Sequence, residues 1–359
     1  MAALREGIGR LIMVGCRGES LGGDERLLFE EYGFGGFILF QRNCVAPRQL
    51  LALCRSLWDG AANDPPFIAI DQEGGSVHRL PPPFSHFPAA AAIGARNDPN
   101  FAYRLGRAAA IELTLVGINL NFAPVLDVDS STHNPIIGAR AFGADPERVI
   151  EMSAAWASGL RDGGVIPCGK HFPGHGDTAQ DSHFTLPVVE KNLAELKAVE
   201  LAPFVAACRN RIEALMTAHI KFTALDPAFP ATLSEPVATG LLRHQLGYDG
   251  VLFSDDMAMR AISDHFAAGP AAALALHAGV DMLLFCHDSA QAAEVVEFLC
   301  SEVERTPELR ARIEKHARRI DKLKGRWLKE FRGAADDELE ERLSRLDHRR
   351  MVEEFYGSL

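Results

Sequence analysis

The sequence has no Cys-x-x-Cys pair, no Gly-x-Gly-x-x-Gly turn after its first apolar run, no apolar stretch long enough to span a bilayer, and no internal repeat or low-complexity segment. Positive charge is also short, with 37 Lys and Arg against 48 Asp and Glu, a formal net charge of -11. A surface for nucleic acid would have to work against that field, so polyanion binding is excluded as the main role. The seven cysteines form an odd, unpaired set, as expected of reduced thiols in a cytoplasmic core rather than a disulfide or zinc framework. Near the start, Arg5, Glu6 and Arg10 precede an apolar run, 11–16, too short for a signal peptide or membrane helix, so neither secretion nor insertion is expected. The missing glycine fingerprint argues against an open dinucleotide-binding sheet.

What is present is 359 residues, 47% apolar, 24% charged and 8% aromatic, with 31 Gly and 20 Pro, a globular profile sized for one large α/β domain or two ordinary ones. Eight short apolar runs recur, at 8–16, 36–40, 67–71, 118–127, 165–171, 214–220, 250–255 and 281–286. Stretches with helical spacing lie between them, at 47–58, 101–116, 147–160, 192–207 and 270–278. Doubly buried strands alternating with helices imply a parallel sheet, and eight such units close a TIM-like (β/α)8 barrel. Beyond about residue 290 the chain turns charged and helical, with apolar residues on one face over 304–324 and 336–356, which predicts outer helices clasping the barrel. The organisation expected is a catalytic barrel over 1–335 and a helical extension over 336–359.

In such a barrel the C-terminal ends of the strands face the active-site mouth. Five successive runs end in charge: Asp71, followed by Gln72-Glu73-Gly74-Gly75 and Arg79; Asp127, followed by an Asn134-Pro135 turn and Arg140; Lys170-His171; His219-Ile220-Lys221; and Ser254-Asp255-Asp256. Charge at the edge of a core is costly, so this recurrence points to a site rather than to packing.

The densest stretch, 170–183, holds three histidines and two aspartates. His171 and His175 have the i, i+4 spacing of metal ligands on a helix, but Pro173-Gly174 between them opposes a helix, so the metal reading loses its geometry. In an extended loop Asp181 and His183 point the same way and can form a proton-transfer dyad, although a solvent-exposed pair has the same spacing. A carboxylate at the end of run 250–255 can be a nucleophile, a metal ligand or a helix cap. Strand alternation lets only one of the two acids look into the mouth; the capping role is assigned to Asp256 and the chemistry to Asp255.

These motifs resemble glycoside hydrolase family 3, and within it the single-domain cytoplasmic β-N-acetylhexosaminidases of cell-wall recycling, the NagZ type. The resemblance runs almost end to end and is carried by Gly35-Gly36-Phe37-Ile38-Leu39-Phe40, Ile70-Asp71-Gln72-Glu73-Gly74-Gly75, Asn134-Pro135-Ile136-Ile137-Gly138 with Arg140, Lys170-His171-Phe172-Pro173-Gly174-His175-Gly176, Asp181-Ser182-His183 and Phe253-Ser254-Asp255-Asp256. It implies a retaining mechanism without metal or organic cofactor, in which Asp255 is the nucleophile and His183, oriented by Asp181, the general acid and base. It further implies that Asp71, Arg79, Arg140, Lys170 and His171 hold N-acetylglucosamine. The expected partner is an N-acetylglucosamine-containing oligosaccharide from muropeptides, acted on by a monomer in the cytoplasm. Phosphorolysis in place of hydrolysis and a metal-dependent hydrolase are the alternatives. Ser76 and Phe184 depart from the residues frequent in relatives, an arginine and a charged residue. His175 and His219 are assigned to packing and hydrogen bonding, and Cys168 and Cys286 to small core positions.

Overall fold

A computed structural model describes residues 2–61, 64–178, 181–182 and 184–357. Eight strands, each parallel to its neighbours, close a barrel in chain order: β1 (Ile12–Gly15), β2 (Gly36–Leu39), β3 (Phe67–Ile70), β4 (Leu120–Asn121), β5 (Ile166–Phe172), β6 (Ala214–Thr217), β7 (Val251–Asp256) and β8 (Met282–Phe285), which pairs back with β1. Each lies inside or within one residue of an apolar run read from the sequence. Strands buried on both faces need no alternation, which is why continuous runs located them.

The differences are local. Run 8–16 is cut, because Ala2–Gly9 is a helix and the strand begins only at Ile12. Run 118–127 gives a two-residue ladder, since Pro124 has no N–H to donate; beyond it pairing to β5 continues only as Cys168 N–H to the Ala123 carbonyl and a bridge from Val125 to Lys170. The helix expected over 192–207 is two, Leu193–Ala198 and Ala202–Arg209, with Pro203 in the first turn of the second. A helix over Pro236–Gln245 is not among the stretches read from the sequence, although Val237, Ala238, Leu241 and Leu242 are buried along it.

Interleaved helices wrap the barrel, with Pro99–Leu115 and Pro146–Asp162 packed along each other. Inside, the Phe253 ring meets those of Phe67 and Phe122 edge-on at 5.9 and 5.5 Å, so the floor beneath the mouth is solid and apolar. At the opposite end, buried Asp281 accepts hydrogen bonds from Arg243, His316, Arg319 and the Leu252 amide. Charge there ties helices to strands.

The charged C-terminal part is four helices: Ser289–Arg305, Pro307–Trp327, Leu339–Ser344 and His348–Gly357. Thr306-Pro307 breaks the stretch expected as 304–324, and 336–356 is split in two. No helix among the described residues is long and apolar enough to cross a membrane.

Candidate active site

At the C-terminal ends of the strands lies a cavity of about 440 Å3, lined together by Asp71, Arg79, Arg140, Lys170, His171 and Asp255. Of the remaining site residues named from the sequence, Asp181 starts a turn, its carbonyl accepting the Phe184 and Thr185 amides at 3.0 and 3.1 Å. His183 lies outside the described residues, but Ser182, between the two, borders the cavity.

Two irregularities in the barrel aim these side chains. β5 pairs Gly169 with Leu215 and then Phe172 with Thr217, so it has one extra residue across Lys170 and His171. β7 pairs Phe253 with Met282 and then Asp256 with Leu284, and the Leu284 amide donates to Ser254 Oγ in place of a ladder carbonyl. An extra residue breaks strict alternation, and Lys170 with His171, like Asp255 with Asp256, border the cavity as consecutive pairs. The expectation that only one of the two acids could face the mouth is corrected accordingly. The capping role assigned to Asp256 is corrected too. Its Oδ1 accepts the amides of Ala258 and Cys286, at 3.1 and 3.2 Å, while the next helix, Arg260–Ser263, starts only after Met259.

On one wall the charges are tightly paired. Lys170 Nζ lies 2.6 Å from Asp71 Oδ1 and 2.6 Å from Glu73 Oε1, and Arg140 forks onto Glu73. Burial pushes the Glu73 carboxyl up, but Lys170 and Arg140 pull it further down, so it sits well below the usual carboxylate range. Burial pulls the Lys170 ammonium down and Asp71 and Glu73 more than reverse this, so its charge is secured. Glu73 was not singled out from the sequence. The one signal was an acid directly before Gly74 and Gly75, whose φ of 96° and 56° turn the chain away from β3.

A second acid, Asp127, is fully buried and organises the histidine segment. Its Oδ1 accepts the amides of His171 and His175, at 3.1 and 2.7 Å, and its Oδ2 the Nδ1–H of His171 at 2.6 Å. Burial raises the Asp127 carboxyl and His171 lowers it more, so Asp127 is anionic and Nδ1 of His171 is the donor. That leaves Nε2 of His171 for a ligand. His171 is in β5 and His175 in the turn after it, so the helical metal-ligand spacing does not arise. His175 instead bonds the hydroxyls of Thr178 and Ser182, at 2.9 and 3.2 Å. Gly176 lets this turn press on Val128, whose carbonyl oxygen would be 1.6 Å from a Cβ there.

Asp255 is the one half-buried residue of its strand. Burial pushes its carboxyl up, yet the imidazoles of His219 and His171, the Asp256 amide and Lys170 draw it below the ordinary aspartate range. Next to it, burial holds the Asp256 carboxyl above that range. Two adjacent acids are thus set apart, Asp255 as the committed anion. His219 is fully buried, with Nε2 on the Asp256 carbonyl at 2.9 Å and Nδ1 on Thr232 Oγ1 at 2.8 Å. A carbonyl only accepts, so the proton is on Nε2 and the ring supports the end of β7. Cys168 is a core residue as expected; Cys286, though nearly buried, also borders the cavity. Arg79 contributes a guanidinium whose buried Nε has no partner among the described residues. The arrangement combines a half-buried anion bordering the cavity with a wall of charge-assisted donors suited to hydroxyls.

The N-terminal domain model of glycosyl hydrolase family 3 matches residues 3–323. A β-hexosaminidase of Alkalilimnicola ehrlichii is 40% identical over 286 residues, 77% of this chain and 80% of that protein, and one of Methylococcus capsulatus is 39% identical over 287 residues, 79% and 84%. Among solved structures, a family 3 β-N-acetylglucosaminidase of Paenibacillus sp. superposes with a TM-score of 0.87 at 38% identity, over 95% of this chain and 68% of that one. NagZ of Neisseria gonorrhoeae, in complex with N-trifluoroacetyl-D-glucosamine, superposes with a TM-score of 0.71 at 31% identity, over 86% and 98%. With its closed eight-stranded barrel and convergent polar mouth, the chain belongs to glycosyl hydrolase family 3 and is a glycoside hydrolase.

Proposed function

We propose that this chain is a retaining exo-β-N-acetylglucosaminidase that removes terminal β-linked N-acetylglucosamine, with muropeptides of cell-wall recycling as substrates and the cytoplasm as its compartment. The observation that carries the reading is Asp255, an anionic, half-buried carboxylate bordering the same cavity as Asp71, Arg79, Arg140, Lys170 and His171. The β-hexosaminidase names of relatives at 38–40% identity support the sugar class.

In the first step an Asp255 carboxylate oxygen bonds to the anomeric carbon. The bond from that carbon to the aglycone oxygen breaks with its electron pair, and the oxygen takes a proton from His183. In the second step water attacks the anomeric carbon, gives its proton to His183, and the bond to Asp255 breaks. Asp181 orients the imidazole. Lys170, Asp71, Arg140, Arg79 and His171 Nε2 hold hydroxyls and acetamide, so that binding energy positions the reacting carbon.

The test is release of 4-nitrophenol from its N-acetyl-β-D-glucosaminide, with proton NMR of the first-formed sugar. Wild type is expected to release β-configured N-acetylglucosamine, and Asp255→Asn to lose at least about a thousandfold in kcat. An unimpaired Asp255→Asn enzyme would remove the nucleophile, and an α-configured first product would remove double displacement.

A further inference from the structure

We propose that the C-terminal helix His348–Gly357 is a positioning element of the active site, holding in place the loop that presents Arg79 to the sugar. The inference rests on the reading of Arg79 as a sugar-holding residue.

Residues 74–88 leave β3, carry Arg79 into the cavity and come back to their own base, where the Gly75 amide donates to the Phe87 carbonyl at 2.9 Å. Apart from a Gly74–Val77 bridge the segment has no regular backbone pairing, so side chains must fix its shape. On its inner side, Gln72 Oε1 accepts the Arg79 amide at 2.9 Å and Gln72 Nε2 donates to His78 Nδ1 at 2.6 Å. The His78 ring stacks on that of His86, with centroids 4.3 Å apart and planes 7° from parallel, and His86 Nε2 donates to the Gly75 carbonyl.

The outer side is held from elsewhere. Ser85 gives both its amide and its hydroxyl to Glu112, at 2.9 and 2.6 Å, a carboxylate almost fully buried on the helix Pro99–Leu115. The same Glu112 takes the Nδ1–H of His348 at 3.1 Å, and Arg349 Nε donates to the Pro83 carbonyl at 3.1 Å. Two consecutive residues at the start of the last helix thus clamp the return arm of the Arg79 loop, one through Glu112 and one directly. The helix is anchored independently, by buried Met351 and by Phe355, which stacks on Phe101 at 5.5 Å. The helix itself lies beyond residue 323, where the family match ends. The loop that carries Arg79 is thus held in part from outside the matched region.

Contiguous hydrogen bonds are not in themselves coupling, and a double-mutant cycle measures it. In the full chain, His348→Ala with Arg349→Ala is expected to raise KM for the 4-nitrophenyl N-acetyl-β-D-glucosaminide about threefold to tenfold with kcat within about twofold. His348→Asn, which keeps a donor at the Nδ1 position, should recover most of the His348 share. Met351→Ala, which removes packing from the same helix but keeps both clamping hydrogen bonds, should lower Tm and raise KM far less than the pair does. In an Arg79→Ala background the His348/Arg349 pair should have no further effect on KM. The proposal falls if the pair leaves KM unchanged, if Met351→Ala raises KM as much, or if the effects of the pair and Arg79→Ala simply add. It also falls if Arg79→Ala alone leaves KM unchanged in an active enzyme, a result that faults the reading of Arg79. An inactive wild type instead faults the proposed activity itself.

Discussion

Arg140 grips Glu73 through two parallel hydrogen bonds, 2.8 and 2.9 Å long, between a side chain on the loop after β4 and one on the loop after β3. Lys170 from β5 joins the same carboxylate, so one buried anion fixes two cations from neighbouring βα units. Removing a single partner from such a set leaves uncompensated buried charge. Glu73→Gln is expected to cost on the order of 3 kcal/mol in urea unfolding and to lower kcat/KM by disordering Arg140 and Lys170. Because the folded Glu73 carboxyl is depressed, its stabilisation is full above the unfolded value of about 4.3 and is lost as pH falls below it. The variant should lack that share of acid destabilisation. A stability unchanged by Glu73→Gln at neutral pH would show that the network does not carry this load.

The barrel was legible because its strands are buried on both faces and therefore read as uninterrupted apolar runs, 36–40 and 67–71 almost to the residue. Asp71, Arg140, Lys170 and His171 were legible as charges at run ends. What alternation could not supply was the direction of consecutive residues. Lys170 with His171, and Asp255 with Asp256, share a cavity because β5 and β7 each carry an extra residue there, and a bulge leaves no mark in apolar periodicity. Asp127 was visible at a run end and Glu73 just past one, but both act through other side chains, so their roles needed coordinates. Helix ends were misread where a proline starts a new helix, as at Pro307.

Asp255 is drawn below the ordinary aspartate range in spite of its burial. The acid limb of the pH dependence of kcat/KM is therefore expected below about pH 4, with the nucleophile ionised throughout the neutral range. Lys170 is one of the charges responsible, after His219, His171 and the Asp256 amide, so Lys170→Met should move that limb upward, separately from its effect on sugar binding. A limb that stays in place would show that Lys170 acts on the sugar alone.

Asn134 joins two loops that carry opposite parts of the site. Its Nδ2 donates to the His175 and Gly176 carbonyls at 2.7 and 3.0 Å, and its Oδ1 accepts the amides of Ile136 and Ile137, each at 2.9 Å. Arg140 follows in the same loop. Asn134→Ala is expected to cost about 1–3 kcal/mol and to raise KM more than it lowers kcat, read from thermal unfolding and steady-state kinetics. Asn134→Asp keeps the acceptor and loses the donor, so it should restore the Ile136 turn but not the tie to His175. Equal kinetics for Asn134→Ala and wild type would argue against the tie.

His175 is buried, its Nε2 3.2 Å from Ser182 Oγ. Burial, with the neighbouring His171 second, pushes the imidazole down to about 4 from an ordinary 6.5. Above 6.5 the ring is neutral whether the chain is folded or not. As pH falls from there towards 4 only the unfolded chain takes up the proton, so stability drops, by up to roughly 3 kcal/mol from this group. His175→Asn is therefore expected to flatten the pH dependence of unfolding free energy between about 6.5 and 4 relative to wild type. The measurement is urea unfolding at a series of pH values, with the slope as readout, so a lower absolute stability of the variant does not obscure it. Parallel curves for the two proteins would mean that His175 titrates normally and that burial does not keep it neutral.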